Sequence, residues 1–153
     1  MSAAAAAAEK KKFLDLLNKK GLFTVDDLAE TLKMIQQNPD LAKAVGRHGR
    51  STIWICAQNS PCPFRRRILP ELLISHGADV NKKAGNGNTV LHSLYTAWKK
   101  KNNKYKRELR EMARDLAEKY HATVPNNDRN GVPSPIQEWL TTERPQLNYE
   151  VLE

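Results

Sequence analysis

The sequence predicts an all-α protein, and three observations carry that expectation. Apolar residues recur at helical spacing, most plainly Leu109, Met112, Ala113, Leu116, Ala117 and Tyr120. Helix stops and starts punctuate the apolar windows. Gly77 follows Leu72, Leu73 and Ile74, where a helix C-terminus favours positive φ, and Thr89 offers a capping hydroxyl to the segment after it. Between such windows lie polar stretches rich in Gly and Asn, such as 81–88, with the composition of turns.

Taken in order, residues 2–20 read as a first helix. Ser2 is placed to cap it, the alanines are strong helix formers, Phe13, Leu14, Leu16 and Leu17 form its apolar face, and Gly21 stops it. Thr24 opens a second helix, with Asp26 and Asp27 at the positive end of its dipole and Val25, Leu28, Leu32 and Ile35 as its expected buried stripe. Asn38-Pro39 stops one helix and starts another, a short one over 39–45 ended by Gly46. The two prolines of Ser60-Pro61-Cys62-Pro63-Phe64 make a loop. A helix is expected over 68–76, either starting near Pro70 or kinked by it. Thr89 caps the next, with Leu91, Leu94 and Tyr95 on one face. The helix over 107–121 follows; its carboxylates Glu108, Glu111, Asp115 and Glu118 alternate with basic residues and are expected to form i,i+4 pairs. Residues 137–140 give a short closing helix.

The stretch Gly77-Ala78-Asp79-Val80-Asn81, followed by Gly87-Asn88-Thr89-Val90-Leu91-His92, resembles the junction between two ankyrin repeats. The family's T-P-L-H-x-A appears as Thr89-Val90-Leu91-His92-Ser93-Leu94. Gly49 to Ala57 is similar to the same pattern, with Thr52 for Pro and Trp54 for His. The resemblance implies a solenoid of stacked helix pairs with short projecting turns. It also implies that His92 braces its turn by bonding neighbouring backbone, and that Cys56 occupies a small buried position. Trp54 is expected to pack. From Gly49 to Gly87 is 38 residues and from Gly87 to Gly131 is 44, against a family period of 33, so loops must hold the excess. The organisation expected is an N-terminal helix at 1–23, a divergent repeat domain at 24–140 and a tail at 141–153. The repeat domain divides into a capping repeat at 24–48, repeats at 49–81 and 82–125, and a C-terminal cap at 126–140.

Composition narrows the function classes. The chain has 153 residues and a formal net charge of +8, which biases association toward acidic proteins, nucleic acid or anionic membrane. Its two cysteines, Cys56 and Cys62, are too few for a secreted disulfide scaffold and fit no common zinc spacing, so a reducing cytoplasmic location is expected. The alanine run at 3–8 is too short and weakly apolar for a signal-peptide core, and no stretch is long enough to span a bilayer. No cofactor, metal or catalytic residue is expected, because neither cysteine sits in a recognisable hydrolase motif.

The resemblance implies a concave protein-binding surface. Its candidates are Arg47, His48 and Arg50 on one turn, Lys82, Lys83 and Asn86 on the next, and Asn127 and Arg129 on a third. Ile55, Gln58 and Asn59 of one first helix, and Ser93, Thr96 and Trp98 of the next, would line its floor. A rigid aromatic beside cations makes Trp98 either an interface hot spot or a cover on the second helix of its own repeat. The partner expected is a protein with an acidic or mixed surface, and the small size and irregular repeats suit a pathogen or viral effector. The alternative is a nucleic-acid or anionic-lipid surface made by Arg65, Arg66 and Arg67 with Lys99, Lys100, Lys101, Lys104, Lys106 and Arg107. Tyr149-Glu150-Val151-Leu152 matches a tyrosine sorting pattern too short to carry weight.

Overall fold

The structure, a computed structural model, describes residues 2–19, 22–58, 67–100, 104–124 and 135–141. The described residues are all-α: seven α-helices and two short 3-10 helices, with a single isolated bridge between Val45 and Ser51. The chain divides into two compact units, Met1–Thr123 and Val124–Glu153.

In the first unit, α1 (Ala3–Leu17) is capped by the Ser2 hydroxyl, which accepts the Ala5 N–H at 3.1 Å. α2 (Val25–Gln37) opens with a capping box: Thr24 Oγ1 accepts the Asp27 N–H at 3.1 Å and the Asp27 carboxylate accepts the Thr24 N–H at 2.8 Å. Lys19 also donates to that carboxylate at 2.7 Å, and Asn38 reaches Glu9 at 3.0 Å, so polar bonds tie α2 to α1 at both ends. Phe13, Leu17 and Ile35 are completely buried. Burying each is worth about 1.5–3 kcal/mol.

The stripe expected on α2 is corrected. Val25 is 66% exposed and Leu32 is 37% exposed, while Thr31, Met34 and Ile35 are buried. Thr31 hides its hydroxyl by donating it to the Asp27 carbonyl at 2.8 Å, so a residue counted as polar lies at the centre of the face and the apolar pair moves to its edge. The helix expected over 39–45 is a 3-10 helix, Pro39–Lys43. Pro39 has no N–H to give, and Leu41 bonds back only three residues, to Asn38.

Two turns in this unit share one geometry, 38 residues apart. The Gly46 N–H bonds the Arg50 carbonyl and the Ala84 N–H bonds the Asn88 carbonyl, both at 2.8 Å. Gly49 and Gly87 take φ of +72° and +83°. Ser51 caps α3 (Thr52–Gln58) as Thr89 caps α5 (Val90–Lys99). The two turns touch: the Gly85 N–H donates to the His48 carbonyl at 2.7 Å. A Cβ on Gly49 would stand 3.0 Å from the Gly85 nitrogen, so glycine is required there for space as well as for φ.

α4 (Leu69–Ser75) starts beside Pro70, which lies in its first turn, as the first of the two alternatives expected. It ends in a left-handed Gly77, whose N–H bonds Ile74 while the Ala78 N–H bonds Leu73. α6 (Lys106–Glu118) ends in a left-handed His121, 44 residues on, with the Ala122 N–H on the Leu116 carbonyl. Asn81 Oδ1 accepts the Thr123 N–H at 2.7 Å, linking the chain after α4 to the chain after α6. Helices pack in two ways: α1 on α2, α3 on α4 and α5 on α6 within pairs, and α1 on α3 and α3 on α5 between pairs.

Arg67 donates to Glu111 at 3.1 Å and Lys119 lies 3.7 Å from Glu71. The carboxylate of Glu111 is therefore engaged with a residue ahead of α4, where an i,i+4 partner on its own helix was expected. In the second unit, α7 (Pro135–Thr141) buries Ile136, Trp139 and Leu140. The loop at 60–64, the turn at 126–131 and the pattern at 149–152 lie outside the described residues.

Candidate interaction surface

His92 sits one turn into α5. Its Nδ1 accepts the Thr89 N–H at 3.1 Å and lies 3.1 Å from Thr89 Oγ1, so imidazole and threonine close a capping box. Burial lowers its pKa below the ordinary imidazole value, and the positive charge of Lys83 lowers it further. The neutral ring is the form able to accept, so burial and bonding favour the same state. At the equivalent place on α3 stands Trp54, which is buried, with the Arg50 guanidinium 5.6 Å above its ring. Cys56 is buried beside it.

Arg50 also donates to Gln58 Oε1 at 2.9 Å. This bonded pair stands between two grooves. One groove, of about 430 Å³, lies among the 84–88 turn, α3, α5 and the start of α6. It brings together Arg50, Gln58, Asn86, Ser93 and Thr96, five of the candidates, and adds Asn88, Lys100 and Tyr105. The other groove, of about 760 Å³, lies between α1 and the 45–50 turn and takes Arg47, His48, Arg50, Ile55 and Gln58. Its second wall is Ala7, Lys10, Lys11, Leu14, Asp15 and Asn18 of α1. That wall escaped the reading of the sequence, because nothing in local pattern says that α1 packs beside α3.

Trp98 lines neither groove. Its ring stacks on Tyr95 with centroids 6.1 Å apart, and Lys106 Nζ lies 5.4 Å from it. It thus packs toward the helix that follows its own. Lys82 and Lys83 are exposed on the turn. Of the alternative basic surface, Lys99 lies over Tyr95 at 5.0 Å, Lys106 over Trp98, and Arg67 on Glu111. Lys100, Lys104 and Arg107 are exposed. Asn59, Cys62, Arg65, Arg66, Lys101, Asn127 and Arg129 lie outside the described residues.

Among the described residues no group of three His, Cys, Asp or Glu is arranged to hold a metal ion, and no helix is long and apolar enough to cross a membrane. Fold and surface together define an all-α protein with grooves cut between paired helices and their turns. Comparison with models of known families, with curated proteins and with solved structures found no match to this chain.

Proposed function

We propose that this chain is a noncatalytic protein-binding module, a divergent ankyrin-type stack that holds its partner on the face formed by its turns and the helices after them. The observation that carries the reading is the recurrence at 38 residues of turn bond, left-handed glycine and capped helix, with the successive turns bonded to one another. Repeats that place like groups side by side build a continuous face, and such faces suit extended recognition. The Thr89–His92 box fits the same reading. Arg50, Gln58, Asn86, Ser93 and Thr96 meet on that face together with the apolar side chains of Trp54, Ala57, Leu94, Ala97 and Leu109, a mixture of polar and apolar groups that suits an interface. Long-range attraction to an acidic or mixed partner follows from the net charge of +8. A cytoplasmic setting, including that of a host cell for an effector, fits a chain with only two cysteines.

The test is affinity capture with the wild type and a Ser93→Arg, Thr96→Arg variant, whose fold is checked by circular dichroism. Both positions are off the core, so the variant should fold and lose its specific partner. Retention of every captured protein by the folded variant would remove the reading. Oligonucleotide binding that survives the variant and depends on Lys100, Lys104 and Arg107 would favour the basic surface instead.

A further inference from the structure

The groove between α1 and the 45–50 turn has an apolar base and a cationic rim. Ala7, Leu14, Val45 and Ile55 supply the base. Lys10, Lys11, Arg47 and Arg50 supply four cations, with His48 beside them, against one carboxylate, Asp15. Lys11 already binds that carboxylate at 2.8 Å. Among the described residues Lys10 and Arg47 take part in no ion pair. Arg50 is held by Gln58 and by the face of Trp54, which fixes its direction while leaving N–H groups to donate. The groove is therefore short of negative charge, and its orienting arginine is pre-positioned.

We propose that this groove docks a short acidic segment of a partner protein, with one apolar side chain seated on Leu14, Val45 and Ile55 and flanking carboxylates on Arg47, Arg50 and Lys10. The proposal rests on the protein-binding reading and names the partner's chemistry. Charge complementarity selects an acidic occupant. The lining favours peptide over single-stranded nucleic acid, because no Phe, Tyr or Trp lines the groove to stack a base and its base is aliphatic. The volume of about 760 Å³ admits a few residues, not a folded surface.

The experiment uses the full chain and an array of fluorescein-labelled heptapeptides, each with one Leu, Ile or Phe flanked by Asp and Glu, read by fluorescence anisotropy. Saturable binding to some members is expected. It should weaken on the order of tenfold in Lys10→Glu, Arg47→Glu, and again when the apolar residue becomes Ser. Lys33→Glu, an exposed charge reversal outside both grooves, should leave it unchanged. These charged positions are exposed, so the variants should fold; Lys10→Gln, Arg47→Gln provides a milder pair with an effect in the same direction. Three results overturn the proposal: no member binds, the charge reversals change nothing, or labelled oligothymidine binds as tightly through the same two residues. If the array fails while Ser93→Arg, Thr96→Arg still loses a captured partner, this groove is wrong and the protein-binding reading stands. Loss of both removes both.

Discussion

His92 is a bracing residue whose protonation state matters. Its pKa is lowered in the folded chain, so the unfolded chain takes up the proton more readily. Stability should then be independent of this group at neutral pH and fall as pH drops through about 6.5, the ordinary imidazole value. His92→Gln keeps an acceptor at the third helical position and has no charge to gain. Thermal midpoints measured from pH 7 to pH 5 should fall less steeply in that variant, and equal slopes would show that His92 does not set the dependence. Asp27 acts lower on the scale. The Lys19 hydrogen bond, then the Thr24 N–H, hold its carboxyl below the usual carboxylate range. What it contributes is present above that range and lost as acid protonates it, so the two groups separate by pH. At Gly49, space and φ are both restrictive. Gly49→Ala should cost about 1–3 kcal/mol, read by urea denaturation, and should speed amide exchange at Gly85 as its bond to His48 lengthens.

At the scale of elements, capping decides where helices begin and end. Ser2, Thr24 and Ser51 each accept a backbone N–H at a helix start, the Thr89 N–H is accepted by His92, and Gly77 closes α4. Thr24→Ala should cost about 1 kcal/mol, because it removes half of a reciprocal pair. α1 has a larger role than its alanine-rich sequence suggests. Leu17 is fully buried, and α1 covers both α2 and α3. Leu17→Ala should therefore destabilise the first unit by about 2–5 kcal/mol, as core truncations do, rather than simply fraying an end. A loss under 1 kcal/mol by denaturant titration would mean that α1 is only loosely attached.

For the molecule as a whole, charge and stacking act at different ranges. On the proposed protein-binding reading, the net charge of +8 would attract an acidic partner from a distance, and the grooves would choose what stays. Stopped-flow association with a captured partner should slow as salt rises from 50 to about 300 mM, with dissociation changing much less. An on-rate indifferent to salt would take steering out of the account. Because each helix pair covers its neighbour, stability in the first unit is shared among pairs, so a variant at Gly49 should be felt in α5 as well as α3.

Much of this architecture was legible in the amino acids. Helical spacing fixed the faces of α5 and α6, Gly77 and Thr89 marked a stop and a start, and the offset of 38 between Gly49 and Gly87 reappears as equivalent backbone geometry. Those signals are local: a cap, a period and a positive φ each depend on a few neighbouring residues. What needed the tertiary structure was every pairing between distant segments. Arg67 found Glu111, Trp98 turned toward Lys106, and α1 came to wall a groove with the 45–50 turn. Such contacts depend on which helix lies beside which, and burial of shared apolar surface decides that only once the whole chain has packed.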